Sequence, residues 1–229
     1  MKKIVSLIFV FSLLIFCIPT VIRAEVLETD SGILYTVENG EVTVQGFNAV
    51  GTVMDIPEKI DGFPVTVIAS QTCRGDDVIT EVKIPSSVIT IGEYAFAECD
   101  NLTKVVIKGG KIIDRSAFRD CKALLTLTLP SELEIIGDFA FEGCTVLGKV
   151  KIPKGLESIG TDAFMGCEML RFELNGNSVA KAHAKKYNIP TSFVDTWEFT
   201  LLMTVIVSAL LGVGLYILNK IIKKKKKGP

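Results

Sequence analysis

Apolar and polar positions between Ile68 and Leu174 repeat as blocks rather than with one simple period. Phe96, Phe118, Phe141 and Phe164 are separated by 22, 23 and 23 residues, and Cys99, Cys121, Cys144 and Cys167 keep the same spacing. Ile68, Ile91, Ile113, Ile136 and Ile159 open successive units, and Ile84, Ile107, Leu129 and Ile152 close their strands. Each unit reads I-G-x-x-A-F-x-x-C-x-x-L-x-x-V-x-I-P. A helical step links the Ala-Phe pair to the Cys and then to the Leu, whereas V-x-I alternates with period two and predicts a short strand. Pro85, Pro130 and Pro153 follow that strand, where a residue without an N–H can end the ladder. Self-similarity at this period predicts an α/β-type repeat solenoid, here of about five turns across 68–177.

The flanks depart from the period. Ile33–Glu38 and Glu41–Phe47 alternate in polarity about Asn39-Gly40, a strong hairpin signal, so 25–67 is expected to form an N-terminal β cap. The last unit is one residue short, and "NSVAKAHAKKYNIP" then predicts a short helix ending before Pro190. That helix would close the other end, with 178–196 serving as C-terminal cap and tether.

Evenly spaced cysteines raise four possibilities: a metal site, disulfides, nucleophiles, or one packing position copied several times. Stacked copies lie about 4.8 Å apart along the core, so only neighbouring thiols can meet. A tetrahedral metal needs ligands converging from loops, usually with C-x-x-C pairing, and no such pair occurs. Disulfides between adjacent turns stay open on spacing, although equivalent Cβ atoms point in parallel. In the first unit Cys73 falls where later units carry Phe, and Asp76 falls where they carry Cys. Such an exchange suits a core position better than a chemical site, so the favoured reading is a small buried apolar residue.

Mean hydropathy of +0.43 is high for a soluble chain, and the excess sits at the two ends. Lys2 and Lys3 precede an apolar run from Ile4 to Ile18, and cleavage after Ala24 would make 1–24 a signal peptide. Phe199 to Leu218 holds 20 residues without formal charge, about 30 Å as a helix, flanked by Trp197 and Tyr216. The expectation is one transmembrane helix over 197–219 and a polybasic cytoplasmic tail over 220–229. The positive-inside rule then makes this a single-pass membrane protein with an extracellular repeat domain. Between Glu25 and Trp197 there are 25 acidic and 16 basic residues, a net charge of −9. An acidic domain of that kind argues against a nucleic-acid partner.

The units "IGEYAFAECDNLTKVVI" and "IGDFAFEGCTVLGKVKIP", the leading "YTVENGEVTVQGF" and the trailing "AKKYNIP" resemble the BspA-like leucine-rich repeat family over about residues 31–192. That resemblance implies a repeat fold. It also implies a secreted or surface protein, several relatives of which are adhesins for host matrix or other cells. Asp114 in place of a usual Gly, and Lys108-Gly109-Gly110 in place of Ile-Pro, predict local irregularity around the second turn.

In each predicted strand the residues between the inward positions look outward. Candidate ligand-binding residues are therefore Lys83, Lys104, Thr126, Thr128, Lys149 and Lys151. They would form a modestly basic sheet face, with Glu93, Glu98, Asp100, Asp114, Asp120, Asp138 and Glu142 on the opposite turns. A solvated face whose lysines discourage edge association is the simpler reading. His183, the sole histidine, is expected to face solvent on the closing helix. No phosphate loop, H-E-x-x-H or G-x-S-x-G is present, so no catalytic residue, metal or cofactor is expected. The functional expectation is a membrane-anchored cell-surface module that binds protein or glycan, on host matrix, on another cell or in the envelope. The alternative is a non-adhesive envelope scaffold or accessory subunit.

Overall fold

In a computed structural model the described residues are 25–48 and 51–193. The signal peptide, the membrane span and the polybasic tail expected from the sequence lie outside them. No helix among the described residues is long and apolar enough to cross a membrane.

Ile33–Glu38 and Glu41–Phe47 pair antiparallel, and Asn39 and Gly40 turn the chain at φ 53° and 79°. Both central residues lie in the left-handed region, as a two-residue hairpin turn requires. Two parallel ladders then run along the molecule. One joins Glu41–Phe47, Phe63–Ile68, Thr90–Ile91, Ile112–Ile113, Ile135–Ile136 and Ser158–Ile159. The other comprises Val53–Asp55, Glu81–Ile84, Lys104–Ile107 and Thr126–Thr128, followed as a separate sheet by Lys149–Lys151, Arg171–Leu174 and Thr191–Phe193.

This second ladder starts one rung earlier than the repeat count of five turns. Met54, Ile56 and Pro57 occupy the V-x-I-P positions, with Met54 opposite Val82. The rung is masked in the sequence because the unit after it carries an insertion. Lys59–Ile60 folds back on Phe63–Ile68 through Asp61-Gly62, which lengthens the spacing to the next unit.

The A-F-x-x-C segments, expected to be helical, are successive turns instead. Tyr94, Ser116 and Phe139 have φ of 55°, 54° and 58°, and Glu98 and Asp120 have φ of 62° and 58°, which no α-helix tolerates. Their amides point between turns. Phe96 N donates to Ala117 O, Phe118 N to Ala140 O and Phe141 N to Ala163 O, each at 2.8 Å. The repeats are therefore a β-solenoid, and Ser178–Tyr187 is the one α-helix among the described residues.

The core is a column. Phe96, Phe118, Phe141 and Phe164 stack with centroid separations of 5.3, 5.3 and 5.2 Å, and Phe172 meets the last ring edge-on at 5.1 Å. Gly92, Gly137 and Gly160 lie where successive turns approach closely. A Cβ on Gly137 would stand 2.6 Å from Arg115 N, and one on Gly160 would stand 2.4 Å from Asp138 N. Asp114 takes this place in the second turn and turns its own carboxylate to accept from Arg115 N at 2.7 Å.

Candidate interaction surface

Cross-strand register carries the six candidate residues onto one face. Lys104 lies opposite Glu81 and Thr126, Lys83 opposite Asp55 and Val106, and Thr128 beside Val106. In the next sheet Lys149 is opposite Arg171 and Lys151 opposite Glu173. Lys104, Thr126, Thr128, Lys149 and Lys151 are exposed, and Lys83 is half-buried.

The face is less basic than its lysines suggest. Lys83 Nζ meets Asp55 at 3.0 Å, Lys104 meets Glu81 at 3.1 Å and Lys149 meets Glu173 at 2.9 Å. The hydrogen bond to Asp55 holds the Lys83 ammonium above its ordinary pKa. At such exposed positions a pair contributes little to stability, but pairing still neutralises the local field. Lys151 and Arg171 form no ion pair among the described residues. The usable chemistry of this face is thus the Thr126 and Thr128 hydroxyls on one sheet and the Lys151 and Arg171 cations on the next.

The opposite turns are also paired along the stack. Arg74 binds Glu98 at 2.7 Å, Arg119 binds Glu142 at 3.0 Å and Lys122 binds Asp100 at 3.1 Å. Arg74 and Arg115 also lie over the Tyr94 and Phe139 rings.

The thiols have a role beyond filling volume. Cys99 Sγ donates to Cys73 O at 3.0 Å, and Cys121, Cys144 and Cys167 donate to Phe96, Phe118 and Phe141 O at 3.0, 3.2 and 3.1 Å. Each sulfur thus satisfies a carbonyl of the turn before it, an arrangement that depends on the inter-turn register and is invisible in spacing alone. Cys73, Cys99, Cys121, Cys144 and Cys167, the cysteines among the described residues, are free. Burial raises the pKa of Cys73 and Cys144 well above the thiol range and pushes Cys167 up to about 12. Maleimide is accordingly expected to label five thiols per described domain after denaturation and almost none before, Cys167 reacting first. A mass deficit of two hydrogens in the denatured, unreduced protein would show a disulfide instead.

His183 does not face solvent. Ala180, His183 and Ala184 turn inward from the helix, and the imidazole closes the aromatic column at 6.1 Å from Phe164 and 4.5 Å from Tyr187. Ala180 three residues before it and Tyr187 four residues after it share its face of the helix, a signal hidden by Lys181, Lys185 and Lys186. Burial, helped by Lys186 and opposed by Asp162, lowers its pKa to about 4. The native state keeps the ring neutral while the unfolded chain protonates it near pH 6.5, so stability is complete above that value and declines as pH falls. Unfolding midpoints measured from pH 7 to 5, where carboxylates stay ionised, are expected to fall with acidity, and His183→Gln to flatten that slope. An unchanged slope in the variant would place the titrating group elsewhere.

Two shallow clefts border this end. One, about 320 Å³, lies between Phe164–Leu170 and Tyr187–Pro190; the other, about 360 Å³, lies between Ile159–Thr161 and the helix. No group of three or more His, Cys, Asp or Glu residues among those described is placed to hold a metal ion.

The description "BspA type Leucine rich repeat region" matches residues 66–188 in six copies. The chain belongs to this family. Its structural neighbours include a leucine-rich repeat protein of T. pallidum, 29% identical with a TM-score of 0.60, over 64% of this chain and 71% of that one. A leucine-rich repeat protein of Bacteroides ovatus is 35% identical with a TM-score of 0.56, over 63% of this chain but only 40% of its own. No curated protein matches. Six copies exceed the five turns read from the spacing, and the rung at Val53–Asp55 lies upstream of the matched residues. Leucine-rich repeats of this family are typically interaction modules.

Proposed function

We propose that this chain is a membrane-tethered surface module that binds a protein or glycan through the outward face of the long-strand ladder. The observation carrying this reading is that Thr126, Thr128, Lys151 and Arg171 are exposed on strands of two successive sheets, while the neighbouring Lys104 and Lys149 are held by carboxylates. Hydroxyls with two uncommitted cations suit hydrogen-bonding glycan or polar protein surfaces better than a dense polyanion. The face has no cluster of Trp, Tyr and Arg of the kind that dominates tight interfaces, so retention would come from many copies on one cell. The extracytoplasmic placement rests on the apolar run 199–218 and the lysines behind it.

Residues 25–196 displayed multivalently are expected to bind matrix, glycan or envelope fractions in a saturable manner. Replacing Lys151 and Arg171 by Ser should weaken that binding about tenfold, while replacing the paired Lys104 and Lys149 should weaken it less, with thermal midpoints little changed in both. Equal loss from the two double variants would mean that net charge, not the uncommitted end of the face, governs attachment. Absence of binding to any fraction would favour the scaffold alternative.

A further inference from the structure

The two ends of the solenoid are oppositely charged. The hairpin end, 25–48, contains Glu25, Glu28, Asp30, Glu38 and Glu41 and no Lys or Arg. The helical end, 178–193, contains Lys181, Lys185 and Lys186 and no Asp or Glu. The helix lies against the final turns with Ala180, His183 and Ala184 buried, so Lys181 and Lys185 stand on the side facing away from the stack, and Lys186 is also exposed. Thr191–Phe193 then adds the last parallel rung, and the chain continues within a few residues into the apolar run that begins at Phe199.

We infer that this lysine-bearing helix rests on anionic phospholipid headgroups and holds the solenoid upright on the bilayer, with its acidic hairpin outermost. The inference rests on the membrane-tethered reading above and adds an orientation to it. Position makes the charge effective: six residue steps from Phe193 to Phe199 span at most about 20 Å, so the helix lysines can come within a Debye length of the headgroups, about 8–10 Å at ordinary ionic strength. Each lysine near an anionic leaflet favours contact by about fivefold. Asp195 and Glu198 in the connecting segment act against this, so the expected bias is tenfold to a hundredfold rather than the full product. At the far end, repulsion of the five hairpin carboxylates from the same leaflet disfavours a recumbent domain. A stack of seven long rungs at about 4.8 Å places the hairpin roughly 30 Å above the helix.

The test uses the full chain reconstituted in vesicles, with a donor dye on Ser31→Cys near the hairpin and acceptor dyes on the lipid headgroups. In phosphatidylglycerol-containing vesicles at low salt, energy transfer is expected to be low because the hairpin is held away. Transfer should rise at least twofold in pure phosphatidylcholine, in about 1 M salt, where the Debye length is only 3 Å, or when Lys181, Lys185 and Lys186 are all changed to Gln. Changing the same three to Arg should preserve low transfer, which separates charge from any effect on folding. Vesicle-bound protein with equal transfer in both lipids and in the Gln variant overturns the orientation while leaving the membrane reading intact. Protein that fails to float with vesicles overturns both.

Discussion

Phe141→Ala is expected to lower the unfolding free energy by about 3–5 kcal/mol, which would leave little of a typical domain's 5–15 kcal/mol. The ring is fully buried and stacked on Phe118 at 5.3 Å and Phe164 at 5.2 Å, so truncation removes two ring contacts and opens a void that neither neighbour can fill without leaving its own place. The turn is also held through its backbone, because Phe141 O receives the Cys167 thiol and Phe141 N donates to Ala163. Damage should therefore spread into adjacent turns, as expected where each repeat leans only on its neighbours. Denaturant unfolding checks this: a variant with the parent's midpoint would show that the column does not carry the stability of the stack.

Gly137→Ala is expected to cost about 1–3 kcal/mol, or more, although it adds one methyl group. That methyl would stand 2.6 Å from Arg115 N and 2.7 Å from Asp114 C, both backbone atoms of the preceding turn that cannot rotate aside. Relief requires the turns to separate, which lengthens the bond from Gly137 N to Ile113 O, now 2.8 Å. The same change at Gly148, whose added Cβ would find its nearest atom at an ordinary 3.8 Å, should cost much less. Similar thermal midpoints for the two variants would show that close approach of turns is not what selects glycine in the I-G step.

The contrast between those glycines shows what the sequence reveals and what it conceals. A period of 22 or 23 residues is enough to stack the phenylalanines and to turn alternate strand residues outward, so the column and candidate face were legible from spacing. Helical pairing of Ala-Phe with Cys was misread because a three-residue step also fits a turn whose amides bond to the next turn; the left-handed Tyr94 and Glu98 decide between them. The ion pair of Lys104 with Glu81 follows from the period, being 23 residues apart. That of Lys83 with Asp55 does not, because the insertion around Asp61-Gly62 stretches the interval to 28. The thiol bonds and the burial of His183 depend on where one turn lies over another, which no single unit encodes.

The inter-turn amide bonds have a mechanical consequence. Because they run along the axis, a pull between the two ends of the stack loads them in tension, one layer at a time, rather than sharing the load in shear. All layers carry the same force in series, and the terminal one, Thr191–Phe193 on Arg171–Leu174, is paired on one side only and so peels before the Phe column is reached. Each released repeat of about 23 residues would add roughly 80 Å of slack. A surface module built this way yields in steps and lengthens under strain, keeping its outer turns folded while the inner ones let go.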